Sequence, residues 1–184
     1  MSTVGRTLTV VGFAGSLNEH SSTKLALEIA LAQAATHGVQ TRLLTLAELR
    51  LPVFDPATPS TEAETFARTL YEADALIWAT PLYHGSMSGA FKNALDWLEL
   101  LSQRTPPYLT DRPVGLIATS GGAHALQAIV AMEHVVRALR GWTIPLVVPI
   151  ERASLAMQQN DERTLRQLRL LGDEVAVAAA RFAR

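Results

Sequence analysis

Short apolar runs rich in β-branched residues alternate along this chain with longer stretches of helical periodicity, from residue 8 to residue 182. Residues 8–13, LTVVGF, read as a buried strand that leaves through a small and polar stretch, 14–23. The segment STKLALEIALAQAATHG, from Ser22, begins with hydroxyl caps, sets Leu25, Ile29 and Ala32 on one face and stops at Gly38, which predicts a helix. The same grammar predicts strands at 39–46, 75–79, 114–119 and 142–150, and helices at 61–73, 88–102, 123–140 and 160–182. Such alternation is that of an α/β chain, a parallel sheet covered by helices on both faces. The fifth strand carries Pro145 and Pro149; proline cannot donate to a central ladder, so this strand belongs at an edge. Five parallel strands ending on an edge suit the doubly wound order 2-1-3-4-5. Ligands of such sheets bind beyond the carboxyl ends of the first and third strands.

A chain of 184 residues, 48% of them hydrophobic, can bury a real core and is too short for two ordinary domains, so residues 1–184 are expected to form a single domain with one site. Its 16 basic and 17 acidic side chains leave a net charge of −1, which offers no electrostatic footprint for nucleic acid or an anionic membrane. Cysteine is absent, which excludes disulfides, thiolate nucleophiles and Cys-ligated metal clusters. Redox chemistry would have to come from a borrowed cofactor. Residues 1–6 are short and polar and lack the parts of an export signal, and no apolar run approaches the roughly 18 residues of a membrane span, so a cytoplasmic location is expected.

The predicted switch point directs attention to three loops. The first, within GFAGSLNEHSSTK, supplies Gly15 for close backbone approach, hydroxyls from Ser16, Ser21, Ser22 and Thr23, and the positive end of a helix dipole. That combination suits one phosphate group, although an ordinary polar turn with a serine cap has the same composition. Gly12 and Gly15 lack the spacing of the dinucleotide fingerprint and no Walker loop is present, so a mononucleotide fits better than a dinucleotide. The second loop lies in TPLYHGSMSGAFKNALDWL. There Pro81 stiffens the exit, Tyr83 offers a flat aromatic face, and Gly85 and Gly89 keep the backbone low enough for a planar ring. The third, TSGGAHALQ, offers Ser120, Gly121 and Gly122 before a helix start, so that backbone amides can face the polar edge of a ring.

His20, His84 and His124 fall one in each loop, which raises a three-histidine metal site, but the short i, i+4 ligand spacing is missing. Donation to a phosphate or to a ring carbonyl suits them better. His37 and His134 are expected on helices, in structural roles. Lys92 and Asp96, four apart, form an i, i+4 ion pair rather than a catalytic set. Ala125, Ile129, Met132, Val136 and Leu139 make a core stripe, part of which could serve a subunit interface. The irregular stretch 47–60, with Pro52, Pro56 and Pro59, reads as a rim loop and a candidate oligomer contact. No hydrolase elbow with its triad and no acidic cluster of a phosphoryl-accepting receiver is present.

With these loops in view, the chain resembles the NADPH-dependent FMN reductase family, whose members share a flavodoxin-like three-layer fold, from about Leu8 to beyond Gly122. The family's first pattern, Gly-Ser-x-Arg followed by serines, is matched by Gly15, Ser16, Ser21 and Thr23, with Asn18 standing in the arginine position. The second, Thr-Pro-x-Tyr-x-x-Ser-x-Ser-Gly-x-x-Lys, is matched in full by Thr80, Pro81, Tyr83, Ser86, Ser88, Gly89 and Lys92, and looks closest to the branch that supplies reduced flavin to monooxygenases. Quinone- and metal-reducing relatives tend to carry Pro-Glu-Tyr-Asn at that turn, where this chain has Leu82 and His84, but KNALDW, from Lys92 to Trp97, is shared with them.

The resemblance implies that Gly15, Ser16, Asn18, Ser21, Ser22 and Thr23 hold the phosphate of FMN. It implies that Pro81, Leu82, Tyr83, His84, Gly85 and Ser86 support the ring, and that Ser120, Gly121, Gly122 and His124 meet its pyrimidine edge. NADPH would then pass hydride to the flavin, the protein supplying position and electrostatics with no catalytic acid or base of its own. Asparagine carries no charge, which implies exchangeable FMN or a load moved to Lys24, His20 or a neighbouring chain. A homodimer or homotetramer and a partner monooxygenase are further implications. The alternatives are an FMN-containing quinone, azo or metal-ion reductase, a flavodoxin-type electron carrier, which near-neutral charge disfavours, and a metal- or nucleotide-binding regulatory module.

Overall fold

A computed structural model describes residues 6–58 and 60–183 of the chain; Pro59 and residues 1–5 of the export-signal argument lie outside the described residues. The strands are β1 (Thr9–Ala14), β2 (Gln40–Thr45), β3 (Ala75–Tyr83), the two-residue β4 (Ser86–Met87), β5 (Pro113–Thr119) and β6 (Trp142–Ile150). All but β4 run parallel, in the order β2-β1-β3-β5-β6. This is the doubly wound order expected, with proline-bearing β6 on the edge. β4 is additional. It folds back antiparallel on the end of β3 through a turn in which His84 (φ 49°) and Gly85 (φ 81°) are both left-handed, the backbone that tight hairpins require.

Helices α1 (Ser22–Ala35), α2 (Leu46–Leu49), α3 (Thr61–Glu72), α4 (Gly89–Asp96), α5 (Leu126–Ala138), α6 (Ala153–Gln158) and α7 (Glu162–Phe182) complete the layers, α4 continuing as a 3-10 turn over Trp97–Leu101. Hydroxyl or carboxylate caps open most of them: Ser21, Thr45, Ser60, Ser88 and Asp161 each accept a first-turn amide. Strand side chains alternate between two cores. Phe13, Leu76, Trp78 and Leu116 pack with Phe66, Phe91 and Met132 under α3, α4 and α5, whereas Val10, Ile77, Ala79 and Ile117 pack with Leu27, Leu171 and Val175 under α1 and α7. Among the described residues no helix is long and apolar enough to cross a membrane.

Four expectations change. The buried face of α1 is Thr23, Ala26, Leu27, Ala30, Leu31 and Ala34, while Leu25 and Ala32 are exposed and Ile29 is half-buried. The helix is apolar nearly all round, so close packing selects its alanine-rich face: a Cβ on Gly172 of α7 would stand 2.3 Å from the Ala30 carbonyl oxygen, and one on Gly12 of β1 would stand 2.6 Å from Leu31. β3 runs on to Tyr83, because Thr80 and Pro81 pair with Ala118 and Thr119 of β5, and Leu82 and Tyr83 pair with β4. Short α2 and α6 were not anticipated. Finally, the stretch 51–54 is tied down on α4, where the Asn93 side chain accepts from Phe54 N (2.8 Å) and donates to Pro52 O (2.9 Å). The core stripe of α5 is buried throughout.

Candidate functional site

Because β1, β3 and β5 are parallel neighbours, their carboxyl ends deliver three loops to one edge of the sheet. The first loop is anchored by two bonds around Gly15: its amide donates to Ala79 O (2.7 Å) and its carbonyl accepts from Ser88 Oγ (2.8 Å). A Cβ at Gly15 would stand 2.3 Å from Phe91, so the glycine is required by a buried ring as well as by any ligand above it. Beyond it the chain curls on its own side chains. Asn18 N donates to Ser16 Oγ (3.2 Å), His20 N to Asn18 Oδ1 (2.9 Å), and Lys24 N to Ser21 Oγ (3.2 Å). The amides of Ser22 and Thr23 open the first turn of α1, where helix geometry provides no intrahelical acceptor.

The Thr23 hydroxyl points inward. It lies 2.6 Å from Thr119 Oγ1 and is buried, so it ties the start of α1 to the end of β5, and the backbone amide is what Thr23 offers the loop. The other first-loop residues line two concavities, one on each side of the loop. A cleft of about 370 Å³ is walled by Gly15, Ser16 and Asn18 against Pro81, Tyr83, Ser88 and Gly89. A second hollow, of about 450 Å³, has His20, Ser21, Ser22 and Lys24 facing Ser154 and Gln158 of α6. The smaller one lies at the topological switch point between β1 and β3, which is where ligands of such sheets bind, and it is the cleft that a ring could enter. Tyr83, 60% exposed, stands at its rim.

The third loop is shaped mostly by its own backbone and by the corner after β6. The buried Ser120 donates its hydroxyl to Gly122 O (2.7 Å), and its amide donates to Ile150 O (2.9 Å). The amides of Gly121, Gly122 and Ala123 donate to no protein group among the described residues, and Gly121 and Gly122 are exposed. His124 is left-handed (φ 77°), and this turn delays α5 to Leu126 instead of the expected 123.

The glycines separate by physical cause. Gly12, Gly15, Gly115, Gly141 and Gly172 have neighbours that a Cβ would crowd, and Gly38 and Gly85 are left-handed. Gly89, Gly121 and Gly122 have neither reason: ordinary φ and nothing within 4 Å of a Cβ. All three sit at this one edge. Glycine weakens structure through its entropy, and these three, with no intramolecular cause, leave a surface low enough for a flat group to approach closely. Free amides at α1 for a phosphate and at the third loop for carbonyl oxygens complete a donor set that fits FMN.

Among the described residues no three histidine, aspartate or glutamate side chains are grouped to hold a metal. His20, His84 and His124 are exposed and belong to separate loops. His37 lies past the end of α1 rather than on it, with Nε2 2.7 Å from Asp173 Oδ1 of α7, and His134 is exposed on α5. Lys92 and Asp96 form the expected pair at 2.5 Å. Sequence reasoning left Ser88, Thr119 and Glu151 out of the site. Ser88 lies in the second motif and Thr119 opens the third loop, TSGGAHALQ, so both could have been found there, but nothing local marks Glu151.

A doubly wound parallel sheet of this order, with polar loops at the carboxyl ends of β1, β3 and β5, defines a flavodoxin-like α/β protein. Residues 8–154 match the family of NADPH-dependent FMN reductases, and the chain belongs to it: an oxidoreductase that uses FMN and NADPH. It is 32% identical over 174 residues to an FMN-dependent NADPH-azoreductase of Staphylococcus aureus, covering 88% of this chain and 89% of that one. The corresponding azoreductase of Staphylococcus haemolyticus is 34% identical over 138 residues, covering 71% and 70%. In fold, the chain is similar to an oxidoreductase from Corynebacterium diphtheriae, with TM-score 0.78 at 22% identity over 96% of this chain and 99% of that one.

Proposed function

We propose that the chain seats FMN across the three loops and uses NADPH to reduce a small oxidised acceptor, with azo compounds as the leading acceptor class. The observation that carries the seat is the set of glycines without an internal cause, Gly89, Gly121 and Gly122, in the loops at one sheet edge, with Gly89 lining the cleft at the switch point. In this reading the first-turn amides of α1, with Ser16, Ser21 and Ser22, take the phosphate. Pro81 to Ser86 support the ring, and Ser120 to His124 border its pyrimidine edge. FMN, when bound, would supply the two-electron redox chemistry between NADPH and the acceptor. The protein's share is to hold ring and nicotinamide in register and to offer amides to the ring's carbonyl edge. The named activity of the staphylococcal relatives supports the azo acceptor.

A specific observation favours a second reading, in which FMN leaves as product and serves a partner oxygenase. Position 18 carries no cation, and the side-chain Oδ1 of Asn18 already accepts from the His20 amide. Anaerobic NADPH added to FMN-loaded protein should bleach the flavin band; absence of bleaching with flavin bound would sink the reductase reading. Turnover with an azo dye or a quinone by protein that keeps its flavin through gel filtration supports the first reading. Turnover of free FMN alone supports the second.

A further inference from the structure

The corner where β6 passes into α6 belongs to no sequence motif, yet loop 120–124 hangs from it. Ser120 N donates to Ile150 O (2.9 Å), Ala153 N to Ser120 O (2.9 Å) and Arg152 N to Gly122 O (3.0 Å), all backbone bonds that most residues could make. The remaining bond is made by a side chain: His124 N donates to Oε1 of Glu151 at 3.0 Å. It falls on the residue whose left-handed φ of 77° turns the chain out of the loop and into α5. That backbone disfavours any residue bearing a Cβ, and a hydrogen bond to a carboxylate is the stronger kind that can hold it there. Glu151 is exposed and makes no ion pair among the described residues, so surface charge pairing does not explain its position.

We infer that Glu151 is a positioning residue for the flavin: it fixes loop 120–124 so that the glycine face and the free amides of Gly121, Gly122 and Ala123 are presented together to the ring's pyrimidine edge. By accepting the His124 amide it also removes that donor from the set the ring can meet. The inference rests on the placement of the flavin edge at this loop proposed above.

The test uses the full chain with Glu151→Ala and Glu151→Gln, the latter keeping an acceptor oxygen at the same reach. Amide hydrogen exchange at Gly121 to His124 is measured in the protein without flavin, and FMN affinity by quenching of flavin fluorescence. Glu151→Ala should raise exchange at the His124 amide, the loop amide that Glu151 holds, and weaken FMN by about tenfold, the scale of one hydrogen bond to a charged group, while Glu151→Gln stays within about threefold of the original in both. Unchanged loop exchange in Glu151→Ala overturns the assignment, as does equal damage by both substitutions. A rise that extends through α1 and α7 also overturns it, since Glu151 would then hold the fold and not the loop. In the unaltered protein FMN should slow exchange at Gly121 and Gly122. Absence of that protection removes the flavin edge from this loop, a failure of the site reading that is visible without any variant.

Discussion

At the scale of single residues, Asn18 and the glycines carry the most consequence. Asn18 closes its loop by accepting the His20 amide at 2.9 Å and brings no charge to the phosphate seat. Asn18→Arg would give up that bond, worth about 1 kcal/mol, and gain charge-assisted contact with a phosphate, worth about 1.5–3 kcal/mol. FMN affinity should therefore rise about three- to tenfold and depend more steeply on salt than in the original protein. Fluorescence titrations at low and high salt measure both; an unchanged affinity would mean that position 18 points away from the phosphate. The glycines divide just as testably. Gly15→Ala drives a Cβ to 2.3 Å from Phe91, whose ring is buried and stacked on Phe13 at 4.8 Å, so overpacking should cost about 1–3 kcal/mol and lower the melting temperature. Gly121→Ala meets only open space at an ordinary φ, so the flavin-free protein should melt as before while FMN binds more weakly. If Gly121→Ala left FMN affinity untouched, the argument from glycines without an internal cause would fall.

At the scale of elements, the pairing of α1 with α7 shows what local pattern can and cannot reveal. The two helices meet through Gly172, and the end of α1 is joined to the middle of α7 where the Asp173 carboxylate accepts from Gln33 Nε2 (2.8 Å) and lies 2.7 Å from His37 Nε2. Those hydrogen bonds, Gln33 first and then His37, hold the Asp173 carboxyl below its ordinary value of 3.8. A depressed carboxylate stabilises the fold above its unfolded pKa, and that contribution is lost as pH falls through the lower folded value. The original protein should thus outlast Asp173→Ala by about 1–3 °C at pH 7, a small margin because the pair is partly solvated, and the margin should shrink as pH falls below about 4. Thermal melts of both proteins from pH 7 to pH 3 check this, and a margin independent of pH would refute it. None of this contact was legible in the sequence. The face that α1 buries is chosen by Gly12 and Gly172, far away in the chain, and its own apolar residues run nearly all round. The end of β3 was hidden for a related reason: Thr80 and Pro81 have the local chemistry of a turn, and only pairing with β5 makes them strand, as pairing with β4 does for Leu82 and Tyr83. By contrast Pro145 and Pro149 pointed to an edge strand, and β6 is one, with β5 its only neighbour in the sheet among the described residues.

At the scale of the whole molecule, a parallel sheet explains why so much of the site was readable. Every strand but β4 points its carboxyl end the same way, so three separate loops must converge once the strand order is known. The wall behind the third loop was not readable, because Glu151 reaches His124 across 27 residues and no motif spans that distance. Convergence also means that a ligand seated across the three loops, as proposed for FMN, would cross-link β1, β3 and β5, so FMN should stabilise the molecule globally. At a concentration of 100 times its dissociation constant, FMN should add about 2.7 kcal/mol, a rise of roughly 5–10 °C in melting temperature for a chain of this size. Riboflavin offers the same ring without the phosphate, and the first-turn amides of α1 with Ser16, Ser21 and Ser22 would then have no anion to hold. At equal concentration it should raise the melting temperature by much less. Melting curves across a concentration series of each ligand separate the ring's contribution from the phosphate's. Equal shifts from the two would show that loop 14–23 is not the phosphate seat, whatever the ring does at the other two loops.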